Sequence, residues 1–288
     1  MQRWLAGLDD ALVAKPLKVV PFIKFSNWRM VLFSIIGMYF LLAWGSFDGP
    51  DYQRYVPLVE VAFYFGTILL HEFGHAFMFL IFGHRPVTIG IKLWGDAFAM
   101  GSKVSRSEFE DGMICIGGIL FCIIAAILIF PMIFPLHDII LKNTSKGVKF
   151  SVLYNPDILK PILAWSLIMI IIFINGLNMT SFCGSDGEGV LRVLFPTLHL
   201  RKLASIAVLC CMMTMFDARI SFVLGSLVII NTNNRKFDKR LYIVPENVAP
   251  ANSIQKLILG TLFVVVISLY IVVGQTASFA AKPLWNWS

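Results

Sequence analysis

Charge is what this 288-residue sequence has least of. Asp, Glu, Lys and Arg make up 14% of it, against about a quarter in ordinary soluble domains. That scarcity excludes a water-soluble globular fold. Acid is scarcer than base, 17 residues against 24, for a formal net charge of +7. No finger motif and no long basic helix accompanies the excess, so nucleic acid is not an expected partner. The basic residues cluster beside apolar runs, where they meet anionic lipid. Cysteine is also sparse: Cys115, Cys122, Cys183, Cys210 and Cys211 all lie in or beside apolar segments. They read as small buried thiols, not as a disulfide framework. No cleavable signal peptide is evident, so the first apolar run is expected to serve as the targeting anchor.

What the sequence has in abundance is hydrocarbon. Hydrophobic residues make up 58% of the chain and the mean hydropathy is +0.78. Apolar runs at 30–46, 56–83, 112–134, 160–180 and 255–276 match the roughly 17–25 residues that cross a bilayer. A sixth run, 203–230, is interrupted by Asp217 and Arg219 and reads either as one long span or as a pair of short segments. The expectation is an all-α polytopic membrane protein of about six transmembrane helices. Arg3, Lys15, Lys18, Lys24 and Arg29 outnumber Asp9 and Asp10 in the first 29 residues, which places the N-terminus in the cytoplasm. Trp28 and Trp44 bracket the first span as interfacial anchors, and the second span then runs inward. Two later basic groups pull against a simple alternation. Lys142, Lys146, Lys149 and Lys160 fall in a loop expected outside, whereas Arg235, Lys236, Lys239 and Arg240 favour a re-entrant or hairpin course for 203–230.

Within the second run stands His71-Glu72-Phe73-Gly74-His75. On a helix the two histidines are four positions apart and share a face, so their imidazoles can bind one tetrahedral metal. Glu72 points about a hundred degrees around the axis, from where its carboxylate can take a proton from a metal-bound water, the general-base role in peptide hydrolysis. A polar cluster that only hydrogen-bonds to neighbouring helices is the plainer alternative. Ionisable residues in membrane spans are costly and default to function. Two imidazoles leave the site incomplete, and a third protein ligand has to come from elsewhere.

At the end of the fourth run the chain reads Asn178-Met179-Thr180-Ser181-Phe182-Cys183-Gly184-Ser185-Asp186-Gly187. A carboxylate after an apolar run, flanked by glycines, fits a helix that unwinds at membrane depth to present Asp186. A helix cap at the interface is the other reading.

The pair of motifs resembles the site-2 protease family of intramembrane zinc metalloproteases, which combine His-Glu-x-x-His in one span with Asn-x-x-Pro-x-x-x-x-Asp-Gly in a later one. Asn178 and Asp186-Gly187 match the second motif, Ser181 stands at its proline, and Glu188 to Leu194 is similar to the family's usual continuation. The resemblance covers about residues 56–194. It implies Zn2+ held by His71, His75 and Asp186, with Glu72 as base and Asn178 near the metal, holding substrate backbone or the developing oxyanion. Between the motifs, Val87 to Met100 alternates in part, with a Gly95-Asp96 turn signal. This is similar to the family's short membrane-associated hairpin, whose edge can pair with an extended substrate. Ile116-Gly117-Gly118 stands where the family often has Ala-Gly-Pro. With Ser181 in place of proline, the break before Asp186 has to come from Gly184, Gly187 or packing.

Other zinc arrangements fit less well. Met78 and Ile81 occupy the positions where a metzincin needs Gly and His. The prenyl-protein class of membrane proteases needs a glutamate ligand, here Glu108, Glu110 or Glu188, none in that class's motif. His84, His137 and His199 read as interfacial residues.

The expected organisation is a cytoplasmic or interfacial segment (1–29), a first span with an external loop (30–55), a catalytic membrane core (56–194) and C-terminal membrane segments (195–288). A small β-hairpin lies between the second and third spans, and the helices surround an intramembrane zinc site. The expected activity is hydrolysis of membrane-spanning or membrane-associated proteins and peptides in the plasma membrane of a prokaryote. The alternative is a non-catalytic metal-binding scaffold or transporter component that keeps the fold.

Overall fold

A computed structural model describes residues 17–20, 23–26, 28–43, 55–91, 97–103, 105–136, 138, 156–180, 185–213 and 248–285. The chain forms two compact units, Met1–Val104 and Ser105–Ser288.

The first unit combines two helices with a sheet. Helix α1 (Trp28–Ala43) has 16 residues, about 24 Å of helix. Helix α2 (Tyr55–Ile81) has 27, and Pro57 is tolerated in its first turn because that N–H has no partner within the helix. Its far end is closed by a turn in which the His84 N–H donates to Phe79 O at 2.9 Å and the Gly83 N–H to Leu80 O at 3.1 Å. Such a closure needs a left-handed residue, and Gly83 supplies it at φ 80°.

Strands β1 (Leu17–Val20), β2 (Ile23–Ser26), β3 (Val87–Ile91) and β4 (Ala97–Met100) form one sheet in that order. β1 and β2 are antiparallel, β2 and β3 parallel, and β3 and β4 antiparallel with Thr88 opposite Met100 and Ile91 opposite Ala97. The antiparallel pair expected between the second and third spans is therefore present. Its turn at Gly95-Asp96 lies outside the described residues. The two N-terminal strands were not expected, and they turn a hairpin into a four-stranded sheet.

Sheet and helix share a core. Val87 and Ile89 are fully buried with Ala76, and Phe73, Phe79, Leu80 and Ala99 pack around them. Nearer the start of α2, Val61 and Phe65 pack against Ile35, Met38 and Tyr39 of α1.

The second unit is helical. Helix α3 (Glu108–Ile129) begins at Ser107, whose hydroxyl accepts from the Glu110 N–H, while the Glu110 carboxylate accepts from the Arg106 N–H at 3.1 Å. This is close to a capping box, with the glutamate bonded one residue before the cap, and Glu108, Glu110 and Asp111 give the first turn the negative charge its dipole favours. A short 3-10 turn, Phe130–Ile133, extends it. Helix α4 (Pro156–Asn178) carries Pro161 in its second turn. Helix α5 (Asp186–Leu194) is nine residues long, and α6 (Leu198–Met213) follows it.

Helix α7 (Ser253–Trp285) has 33 residues and is capped by Asn252 and Gln255, each side chain accepting from the other's backbone N–H. This last of the expected C-terminal membrane segments enters the core of the unit. Fully buried Tyr270 donates its hydroxyl to Ile119 O of α3 at 3.0 Å, and the Trp165 indole N–H of α4 donates to Ala277 O of α7 at 3.0 Å. Ile116, Ile119, Ile123, Ile168 and Ile171 are buried alongside.

Among the described residues, four helical segments are long and apolar enough to cross a membrane: Pro57–Ile81, Glu108–Leu136, Leu159–Asn178 and Ser253–Ala280. Their outward faces carry residues such as Leu128, Leu257 and Phe279, exposed by 74%, 70% and 62%, an arrangement that suits lipid and not water. Among the described residues the other two of the six expected spans are not established. α1 is shorter than about 30 Å of hydrocarbon. Of the run 203–230, only residues to Met213 are described, as the end of α6.

Candidate metal centre

His71, Glu72 and His75 lie in the second half of α2, all three buried. The helical spacing stacks the imidazoles with their Nε2 atoms 3.0 Å apart, ring centroids at 4.7 Å and planes at 82°. Two nitrogens bound to one tetrahedral zinc at about 2.0–2.1 Å stand about 3.3 Å apart, so the pair needs little movement to converge on one ion. The packing of α2 holds the helix in place. Phe73 and Ala76, interleaved with the motif, belong to the cluster built on Val87 and Ile89.

Asp186 is the first residue of α5. It is not the cap: Ser185 occupies that position with extended backbone, and its hydroxyl accepts from the Glu188 N–H. The capping alternative thus falls to the neighbouring serine. One ligand atom from each of His71, His75 and Asp186 lies within 4.8 Å of the others. Two imidazole nitrogens and one carboxylate oxygen are the donor set of a three-ligand zinc site with a position left for water.

Asn178 is the last residue of α4 and is half-buried. One turn earlier, Asn175 is fully buried, its side-chain amide donating to Ile171 O at 2.8 Å. Sequence reasoning passed over Asn175, although a second amide three positions before Asn178 in an apolar helix was a visible signal. Ser181, Cys183 and Gly184 lie outside the described residues.

The glutamates weighed as rival ligands have other partners. Glu188 accepts from Arg201 at 2.7 Å, Glu110 caps its own helix, and Glu108 accepts from the Ala251 N–H at 3.1 Å. The remaining histidines divide. His84, expected at an interface, is fully buried with its ring edge-on to Phe79 at 5.1 Å. His199 is exposed, and His137 lies outside the described residues. Cys122 is buried as expected. Cys210 and Cys211 are exposed, contrary to the expectation of buried thiols, and with Cys115 and Cys122 they are free cysteines.

By length and composition the apolar helices define the class as a helical, multi-pass membrane protein. No protein-family model, curated protein or solved structure matches the chain, so any narrower assignment rests on the residues themselves.

Proposed function

We propose that the chain is an intramembrane zinc metalloprotease of the site-2 type, hydrolysing peptide bonds of membrane-spanning or membrane-associated substrates. The observation that carries this reading is the convergence of His71, His75 and Asp186 with a buried glutamate, Glu72, next in sequence to the first ligand.

A zinc ion in such a donor set supplies Lewis acidity, lowering the pKa of a bound water toward about 7. Glu72 takes the proton of the attacking water as its oxygen bonds to the scissile carbonyl carbon. The same carboxylate then delivers that proton to the departing amine as the C–N bond breaks, leaving a new carboxylate and a new amine. Asn178 contributes an amide that can hold the substrate backbone or the developing oxyanion. The apolar spans limit bulk water around these groups, which strengthens each electrostatic contact.

Peptide hydrolysis at a metal requires an extended backbone, and β4 is an edge strand of its sheet. Among the described residues no further strand follows β4 in the sheet, and an edge strand suits addition by an unwound substrate segment.

The test is zinc content and cleavage of a single-span reporter by detergent-purified protein. The parent and Glu72→Gln are expected to carry near-stoichiometric zinc, with cleavage by the parent alone. Full activity of Glu72→Gln rejects the mechanism. Absence of zinc from the parent favours the non-catalytic scaffold.

A further inference from the structure

We infer that Ser185 is a positioning residue for the metal centre: its hydroxyl fastens the start of α5 to the end of α4 and so fixes where Asp186 is presented. The inference rests on the metal-centre reading above and deepens it.

The two ends of the segment around Asp186 are tied by a short set of contacts. At the end of α4, the Met179 N–H donates to Asn175 O at 2.9 Å, and the Thr180 hydroxyl donates to Leu177 O at 2.8 Å. Thr180 is itself fully buried. Its carbonyl has passed the last helical turn and accepts from Ser185 Oγ at 2.5 Å. The same Oγ accepts from the Glu188 N–H at 3.3 Å. One hydroxyl therefore acts in both directions, as a donor to the carbonyl that leaves α4 and as an acceptor for the N–H that begins α5.

Gly187, on the other side of Asp186, closes the contact. A Cβ there would meet the backbone of Met179 and the carbonyl of Thr180, atoms that cannot rotate away. Asp186 is thus flanked by two residues that both touch the end of α4, one by hydrogen bond and one by close backbone approach. Further along, α5 is tied by Glu188 to Arg201 at 2.7 Å and by Arg192 to Asp111 at 3.4 Å. These pairs hold the body of the helix, whereas Ser185 sets its first turn. In a low-dielectric surrounding, the Thr180 carbonyl needs its donor, so the link is favoured strongly over an open arrangement. The proline of the family motif is absent here, and this hydroxyl link supplies a specific means of holding the break.

Groups that orient a metal ligand without touching the metal typically change affinity by about 10–100-fold when removed. The experiment is Zn2+ affinity by competition with a chromophoric chelator, together with the visible spectrum of Co2+-loaded protein, on the full chain in detergent. The variants are Ser185→Ala, Ser185→Gly, Ser185→Thr and Asp186→Ala. Glycine caps a helix nearly as well as serine but has no hydroxyl for Thr180, so Ser185→Gly removes the link and largely spares the helix start. It keeps the test decisive where Ser185→Ala fails to fold.

Ser185→Gly is expected to bind Zn2+ about tenfold or more weakly and to shift the Co2+ ligand-field bands, with metal-free melting close to that of the parent. Ser185→Thr should restore both. Parent-like affinity and spectrum in Ser185→Gly, with metal lost in Asp186→Ala, overturns the positioning role and leaves the metal centre standing. Parent-like affinity in Asp186→Ala overturns both.

Discussion

Burying two imidazoles and a carboxylate within one turn of an apolar helix is unfavourable unless they are hydrogen-bonded or paired. His71, Glu72 and His75 are all less than a tenth exposed, and a cation with an activated water is a partner that suits all three. The account gives the residues separable roles. Replacing Asp186 by Ala should leave two ligands and weaken Zn2+ binding by at least tenfold, whereas Glu110→Gln, at a residue occupied with capping α3, should leave bound zinc unchanged. Zinc per chain after dialysis against a weak chelator reads the difference. Equal loss in both variants would point to a fold defect in place of a ligand. The grouping of His71, His75 and Asp186 was legible in the sequence, because the helical repeat puts the two histidines on one face and the second motif singled out Asp186. The division of labour between Ser185 and Asp186 was not. A cap and its neighbour differ only in backbone angles, and the preceding Ser181-Phe182-Cys183-Gly184 carries no pattern that tells the two apart.

At the scale of elements, buried hydrogen bonds fasten the helices of the second unit. Tyr270→Phe removes the donor to Ile119 O while keeping the ring. Hydrogen bonds between membrane helices average about 0.6 kcal/mol and reach about 1.7 kcal/mol. The variant should be destabilised within that range in a reversible denaturation series in mixed micelles, and a larger loss would mean that the ring itself had been displaced. Apolar runs located α2, α3 and α4 to within about five residues, because a span must satisfy its own backbone over a fixed thickness. They located α7 at its start, although α7 continues to Trp285, past the expected end at 276. Strands β1 and β2 were missed for a physical reason. Of the four-residue strands Leu17–Val20 and Ile23–Ser26, the second pairs with Val87–Ile91, a partner about 60 positions away that no local pattern encodes, and the first joins the sheet only through the second. The face by which α7 packs was not legible either, because its lipid-facing and core-facing residues are both apolar.

For the whole molecule, the exposed apolar faces and the four candidate spans predict an integral protein. Alkaline carbonate should leave the chain in the membrane pellet, and release into the supernatant would contradict a spanning arrangement. The proposed function requires that a membrane-embedded chain gather a metal, a base and a substrate. The most direct measurement is cleavage of a purified single-span reporter by the parent and by Glu72→Gln, with zinc determined in the same preparations. The account predicts near-stoichiometric zinc in both and a rate at least about 100-fold lower in the variant, the low end of what a general base contributes. Undiminished cleavage by Glu72→Gln, or no zinc in either protein, would contradict it.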